Sequence, residues 1–312
     1  MNLNEVIHHI GPLAPGVWPL PAPELQQYYQ HYQLDVASAM PNVTQYIGTF
    51  ESGPYDIVCQ LFRREEATAT VFVVHGYTDH LGLYGQLIRH LLGCGYTVVG
   101  FDLPGHGLST GELASISSFS HYDRALEDCL RLCAGHVPEP WYALGQSTGA
   151  AAVMSLLLRD PGHPFSRAVL LSPLVRPAHW AWLRWVHLGV KRILPKIPRS
   201  FRVNSSDLAF LDFVASRDPL QARHLKTAWV TSMNKWIDWF LTVPPSALRV
   251  LVVQGEQDDT VDWRYNLPVV RQKFPLAEVV QVAAARHHLV AESRDLRQPV
   301  FDAIERFLGE PA

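Results

Sequence analysis

The chain has 312 residues, 48% of them hydrophobic and 18% charged, with 26 Lys/Arg against 29 Asp/Glu for a formal charge of −3. That length and apolar fraction support a large packed core and exclude a disordered, collagenous or disulfide-stapled chain. A near-neutral balance without a long Lys/Arg run also speaks against nucleic acid as a partner.

Residues 1–42 are expected to be irregular, because Pro12, Pro15, Pro19, Pro21 and Pro23 break any helix before one short helical stretch from Glu24 to Tyr32. From Val43 the pattern becomes regular. Val43 to Phe50 and Tyr55 to Phe62 alternate like two antiparallel strands around the turn Glu51-Ser52-Gly53-Pro54. Short β-branched runs follow at Thr70 to Val74, Thr97 to Phe101, Trp141 to Leu144, Ala168 to Leu171, Leu248 to Val253 and Glu278 to Val282. They are apolar on both faces and separated by helix-length segments, which predicts an open, mostly parallel α/β sheet covered by helices on both sides.

One interval breaks this rhythm. Between the strand ending near Ser172 and the one starting near Leu248 lie some 75 residues, far more than one crossover helix needs. The interval holds Trp180, Trp182, Trp185, Trp229, Trp236 and Trp239, six of the nine tryptophans, and predicts an inserted helical subdomain over 176–246. The expected organisation is therefore an irregular segment 1–42, a core in two parts, 43–175 and 247–312, and the insertion between them. Cys59, Cys94, Cys129 and Cys133 are scattered, with no C-x-x-C pair, and read as small buried hydrophobes kept reduced. The opening Met-Asn-Leu-Asn-Glu lacks a basic n-region and an apolar h-region, and no apolar run reaches the roughly 18 residues of a membrane span. A cytoplasmic protein is expected.

Chemistry enters at Gly145-Gln146-Ser147-Thr148-Gly149, directly after the strand Trp141 to Leu144 and directly before the Ala- and Leu-rich run Ala150 to Leu158. The pentapeptide G-x-S-x-G alone is weak evidence; its place between a strand and a helix makes it informative. Such a turn lifts a serine hydroxyl above the sheet edge and sets a helix N-terminus behind it, where peptide dipoles favour developing negative charge. A serine hydroxyl is a poor nucleophile until a base takes its proton, so a histidine and an acid must follow along the chain. The acid candidates are Asp258 and Asp259, after the strand Leu248 to Val253. The base candidates among fifteen histidines are His287 and His288, after the strand Glu278 to Val282. The order is nucleophile, acid, base. An oxyanion would need two backbone N–H donors, and these are expected from Thr148, next after the nucleophile, and from Tyr77 in the loop His75-Gly76-Tyr77.

These residues carry a resemblance. His75-Gly76-Tyr77-Thr78-Asp79-His80, with Tyr84 following, resembles the HGxxEH…Y segment of the monoglyceride lipase and lysophospholipase group of α/β-hydrolases, with Asp79 standing for Glu. Asp102-Leu103-Pro104-Gly105-His106-Gly107-Leu108-Ser109 is similar to that group's D-x-x-G-H-G-x-S turn. The elbow at Ser147, G-x-x-D at Gly255 to Asp258 and H-x-x-x-x-E at His287 to Glu292 complete five ordered motifs. The resemblance implies an α/β-hydrolase fold with a helical cap. It also implies a catalytic triad of Ser147, Asp258 and His287, with Asp259 a turn residue and His288 a neighbour. Gln146 in place of the commoner His, and Ala150 in place of a second Gly, depart from the pattern at positions without reacting atoms.

The implied activity is cleavage of carboxylic esters of single-chain lipids through an acyl-enzyme, with no cofactor and no metal. A small-ester esterase, thioesterase, peptidase or ligand-binding pseudo-hydrolase are the alternatives. The insertion would lie over the nucleophile, and Trp180, Trp185 and Trp236 are its candidate substrate contacts. It carries eleven Lys/Arg against four acids, a balance of +7 that leaves −10 on the rest of the chain. Basic residues beside tryptophan suit peripheral contact with an anionic membrane surface.

Overall fold

The computed structural model describes residues 2–182, 184, 189, 194–199 and 203–310. Its centre is an eight-stranded sheet. The strands β1 (Val43–Ser52), β2 (Tyr55–Arg64), β3 (Ala69–Val74), β4 (Tyr96–Phe101), β5 (Trp141–Gln146), β6 (Phe165–Leu171), β9 (Val250–Gly255) and β10 (Glu278–Val282) lie in the order β1-β2-β4-β3-β5-β6-β9-β10. β1 and β2 form an antiparallel hairpin whose ladder runs from Val43↔Arg64 to Ser52↔Tyr55, closed by a two-residue turn in which Gly53 has φ +57°. β2 meets β4 antiparallel, and every later pairing is parallel.

The β-branched runs form central strands because both of their faces are covered. β3, β4, β5 and β9 are buried along their whole length. Alternate residues supply the two cores: Phe72, Val74, Val99, Phe101, Val250 and Val252 pack on one face, and Val71, Val73, Val98, Leu251 and Val253 on the other. The helix Ser120–Cys133 presents Tyr122, Ala125, Leu126, Cys129 and Cys133 as an apolar stripe, and the helix Thr148–Arg159 is buried over most of its length. The order in which strands are added reverses at β3, which sits between β4 and β5 and runs parallel to both. The loops after β3 and β5 therefore diverge at the carboxyl edge of the sheet, where open α/β folds form their crevice.

The expected helix within Glu24 to Tyr32 is present as a 3-10 turn, Pro23–Leu25, running into the helix Gln26–His31; a further short helix spans Leu3–His8, with Asn2 capping it. Between β6 and β9 the described residues include the helix Leu208–Asp212, a π-helical turn Phe213–Arg217 and the long helix Thr227–Thr242. They also include two strands absent from the helical expectation, β7 (Lys196–Pro198) and β8 (His224–Lys226), paired antiparallel. Three-residue strands carry too little pattern to be read before their partner is known. Among the described residues no helix is long and apolar enough to cross a membrane.

Candidate active site

Ser147 sits between the end of β5 and the helix Thr148–Arg159 with φ +55° and ψ −112°, a conformation that L side chains avoid. Its neighbours leave no alternative. A Cβ on Gly145 would stand 2.5 Å from the carbonyl oxygen of Gly149, and one on Gly149 would stand 2.1 Å from that of Val74. Both positions must be glycine for the helix to press this close to the sheet. The Ser147 N–H donates to the Leu171 carbonyl at 2.8 Å, and its own carbonyl accepts from Ala151 and Leu174. Thr148 is the first helical residue, so its N–H has no partner within the helix.

The loop after β3 lies against this turn: a Cβ on Gly76 would be 3.5 Å from the Ser147 Cβ. Three buried groups hold it there. His75 Nδ1 donates to the Gly76 carbonyl at 2.8 Å while Nε2 accepts from the Leu103 N–H at 2.8 Å, which fixes the neutral tautomer. Burial takes the His75 pKa down to about 3. The Tyr84 hydroxyl accepts from the Gly76 N–H at 3.0 Å and donates to Asp79 at 3.1 Å. Asp102 takes the Leu81 and Leu108 N–H groups on its two oxygens, both at 2.8 Å, and so ties the β4 turn to the β3 loop. A Cβ on Gly107 would be 2.1 Å from an Asp102 oxygen, which explains the glycine in that turn.

Asp258 and Asp259 separate on burial. Asp259 is exposed, whereas Asp258 is buried and surrounded by donors. One of its oxygens accepts from the N–H groups of Thr260 at 2.8 Å and Val261 at 3.1 Å. The other accepts from Gln254 Nε2 at 3.0 Å and from His287 Nδ1 at 2.7 Å. Burial raises the Asp258 pKa, but His287 and the other donors outweigh it and hold the group below its ordinary value. Burial lowers the His287 pKa, and the facing Asp258 carboxylate more than reverses this. Gly255 permits the approach of the two loops, since a Cβ there would be 2.1 Å from the Arg286 carbonyl. With Nδ1 engaged by Asp258, Nε2 is the ring nitrogen left for other work.

Ser147 and His287 line one cavity of about 240 Å3, together with Tyr77, Thr148 and Trp180. The Tyr77 ring stacks on Trp229 at 3.9 Å between centroids, and its hydroxyl donates to the Ala114 carbonyl at 2.8 Å. Trp229, Val230 and Met233 from the helix Thr227–Thr242 and Arg199 beside β7 complete the wall over Ser147. His288 also reaches the cavity. It approaches Asp79 to 3.2 Å without hydrogen-bond geometry, and its N–H donates to the Asn204 carbonyl at 2.8 Å. Gln146 is fully buried and does not line the cavity.

Trp185 lies outside the described residues. Trp236 does not line the cavity: its indole N–H donates to Ser155 Oγ at 2.6 Å and its ring stacks on Phe240. Trp236 is two turns beyond Trp229, about 10 Å along the helix axis, and so packs on the helix Thr148–Arg159 beyond the reach of Ser147. Trp229, on the same helix, lines the cavity instead.

A buried carboxylate joins the segment 176–246 to the core. Asp218 accepts from Tyr32 Oη at 2.8 Å and Gln221 Nε2 at 2.9 Å, and meets His80 Nε2 at 3.0 Å. Burial opposes the charge on Asp218, but His80 and the other donors take its pKa down to about 2.

The profile of a hydrolase family described as serine aminopeptidase, S33, matches residues 65–294. Over 252 residues the chain is 37% identical to the human monoglyceride lipase, covering 78% of this chain and 82% of that protein. It belongs to the monoglyceride lipase family of α/β-hydrolases. A monkeypox virus monoglyceride lipase homologue is 33% identical to this hydrolase over 250 residues, 77% of this chain and 89% of the viral one. A soluble variant of the Saccharomyces cerevisiae monoglyceride lipase, solved with a substrate analogue, superposes with a TM-score of 0.72 at 16% identity, over 84% of this chain and 94% of that one. The fold expected from the motifs is thus that of the family, and the chain is a serine ester hydrolase.

Proposed function

We propose that this hydrolase cleaves monoacylglycerols or lysophospholipids by acyl transfer through Ser147. The observation that carries the reading is the strained Ser147 in one cavity with His287, whose Nδ1 is held by Asp258 at 2.7 Å. His287 Nε2 takes the Ser147 proton, and Ser147 Oγ attacks the ester carbonyl. The N–H groups of Tyr77 and Thr148 hold the oxyanion, each such donor contributing about 10²- to 10³-fold. His287 then protonates the leaving alcohol, and water releases the fatty acid by the same steps reversed. Asp258 keeps the imidazole in the required tautomer and stabilises its cation.

Residues 176–246 act as a cap in this reading. Their contribution to the cavity is largely apolar, Trp180, Leu225, Trp229, Val230 and Met233, as an acyl chain requires. The names of the human and viral relatives favour monoacylglycerol. The +7 charge of the segment, with Trp182, Leu194, Val203 and Leu208 exposed beside it, supports docking on an anionic lipid surface. A hydrolysis profile over headgroup and acyl length tests the substrate, with Ser147→Ala as control. Preference for long-chain monoacyl lipids and loss of turnover in the variant are expected; preference for acetate or butyrate esters would overturn the lipid assignment. On anionic vesicles the rate should fall as salt rises, and a rate indifferent to salt would remove the electrostatic part.

A further inference from the structure

We propose that His90, Cys94 and Glu305 form a Zn2+ site that ties the helix Gly85–Gly93 to the C-terminal helix Arg294–Gly309. None of the three residues lines the cavity at Ser147, and the site is independent of the hydrolytic reading. His90 and Cys94 are four residues apart, so they share one face of their helix at its C-terminal end. Glu305 reaches the same point from the facing helix, one turn after Phe301. The His90 ring stacks on Phe301 at 4.6 Å, which fixes the plane from which Nε2 points.

The three donor atoms lie within 4.8 Å of one another. Cys94 Sγ is 3.6 Å from His90 Nε2, and His90 Nε2 is 3.9 Å from a Glu305 oxygen. Zinc bonds of about 2.3 Å to sulfur and about 2.0 Å to nitrogen, opened to the tetrahedral angle, place those two ligand atoms roughly 3.5 Å apart. The sulfur–nitrogen edge of the tetrahedron is therefore already formed. The nitrogen–oxygen edge is about half an ångström too long by the same geometry, and the Glu305 side chain is 59% exposed and free to close it.

The donor set selects the metal class. A thiolate with an imidazole suits Zn2+ and disfavours Mg2+ and Ca2+, which prefer oxygen ligands. Cys94 releases its thiol proton to solvent as it ligates, and a water completes the fourth position. Cys59, Cys129 and Cys133 are buried and offer no competing thiolate.

The test uses tag-free, reduced, chelator-stripped protein titrated with Co2+, followed by Zn2+ displacement. One equivalent of Co2+ should raise the intense thiolate-to-cobalt charge-transfer band in the near ultraviolet, and one equivalent of Zn2+ should abolish it. The band reports sulfur ligation and so ignores adventitious binding by the other histidines. Cys94→Ser should remove the band, and Glu305→Gln, an exposed change that leaves the fold intact, should weaken Zn2+ binding more than tenfold. Absence of the band at stoichiometric Co2+, its persistence in Cys94→Ser, or unchanged affinity in Glu305→Gln would each overturn the site.

Discussion

Asp258→Asn is the substitution that separates charge and tautomer from shape most cleanly. In the native protein one Asp258 oxygen accepts two backbone N–H groups and the other accepts from Gln254 Nε2 and His287 Nδ1. An asparagine satisfies the two backbone donors with its carbonyl oxygen. Its NH₂ then faces His287 Nδ1 and must donate to it. The imidazole is driven to the tautomer with hydrogen on Nε2, which cannot take a proton from Ser147. A loss of about 10⁴ in kcat follows, as in other triads of this design, which is about 5.5 kcal/mol of transition-state stabilisation. The assay is initial rate on a monoacylglycerol, with thermal melting to show that the variant is folded. The control is Asp259→Asn, one residue away and exposed, which should stay within about twofold of wild type because surface charges contribute little. A folded Asp258→Asn enzyme within tenfold of wild type would refute the orienting role.

Three further outcomes follow from the same geometry. Gly149→Ala sets a Cβ 2.1 Å from the Val74 carbonyl and should cost about 3 kcal/mol or more of stability; an unchanged urea midpoint would contradict it. Trp236→Phe should lose about 1 kcal/mol with its Ser155 hydrogen bond and leave acyl-chain preference unchanged, whereas Trp229→Ala should alter that preference; a chain-length series that moves only with Trp236 would reverse the assignment. The pH profile of kcat/KM should carry an acid limb above the ordinary histidine value of 6.5, because the net shift of His287 is upward and its protonated form cannot act as base. An inflection below pH 6 would contradict that direction.

The central strands were legible because a strand buried on both faces must be a short apolar run, and the chain between such runs was long enough for helices. The two hairpin strands each run two residues further than alternation suggested, since pairing continues through Glu51 and Ser52 and through Arg63 and Arg64, whose polar side chains carry no apolar alternation. The elbow was legible for a steric reason: glycines at 145 and 149 are demanded by backbone atoms that touch them. The choice between Asp258 and Asp259 rested on resemblance alone; the burial of Asp258 and its hydrogen bond from His287 support it in physical terms.

What stayed hidden depends on distant partners. Trp229 and Trp236 lie on the same face of one helix, and only the docking of that helix decides which reaches the cavity. The contact of Asp218 with His80 and Tyr32 joins residues 138 and 186 positions apart, and no local pattern announces it. The cluster at His90 is half local, His90 with Cys94, and half tertiary through Glu305.

The central claim is that Ser147 is the nucleophile. Its most direct test is covalent labelling with a fluorophosphonate probe, followed by digestion and mass spectrometry to locate the adduct. One adduct on Ser147 is expected, blocked by prior incubation with a monoacylglycerol-like inhibitor and absent from Ser147→Ala. An adduct on another residue, or ester turnover retained by Ser147→Ala, would contradict the account.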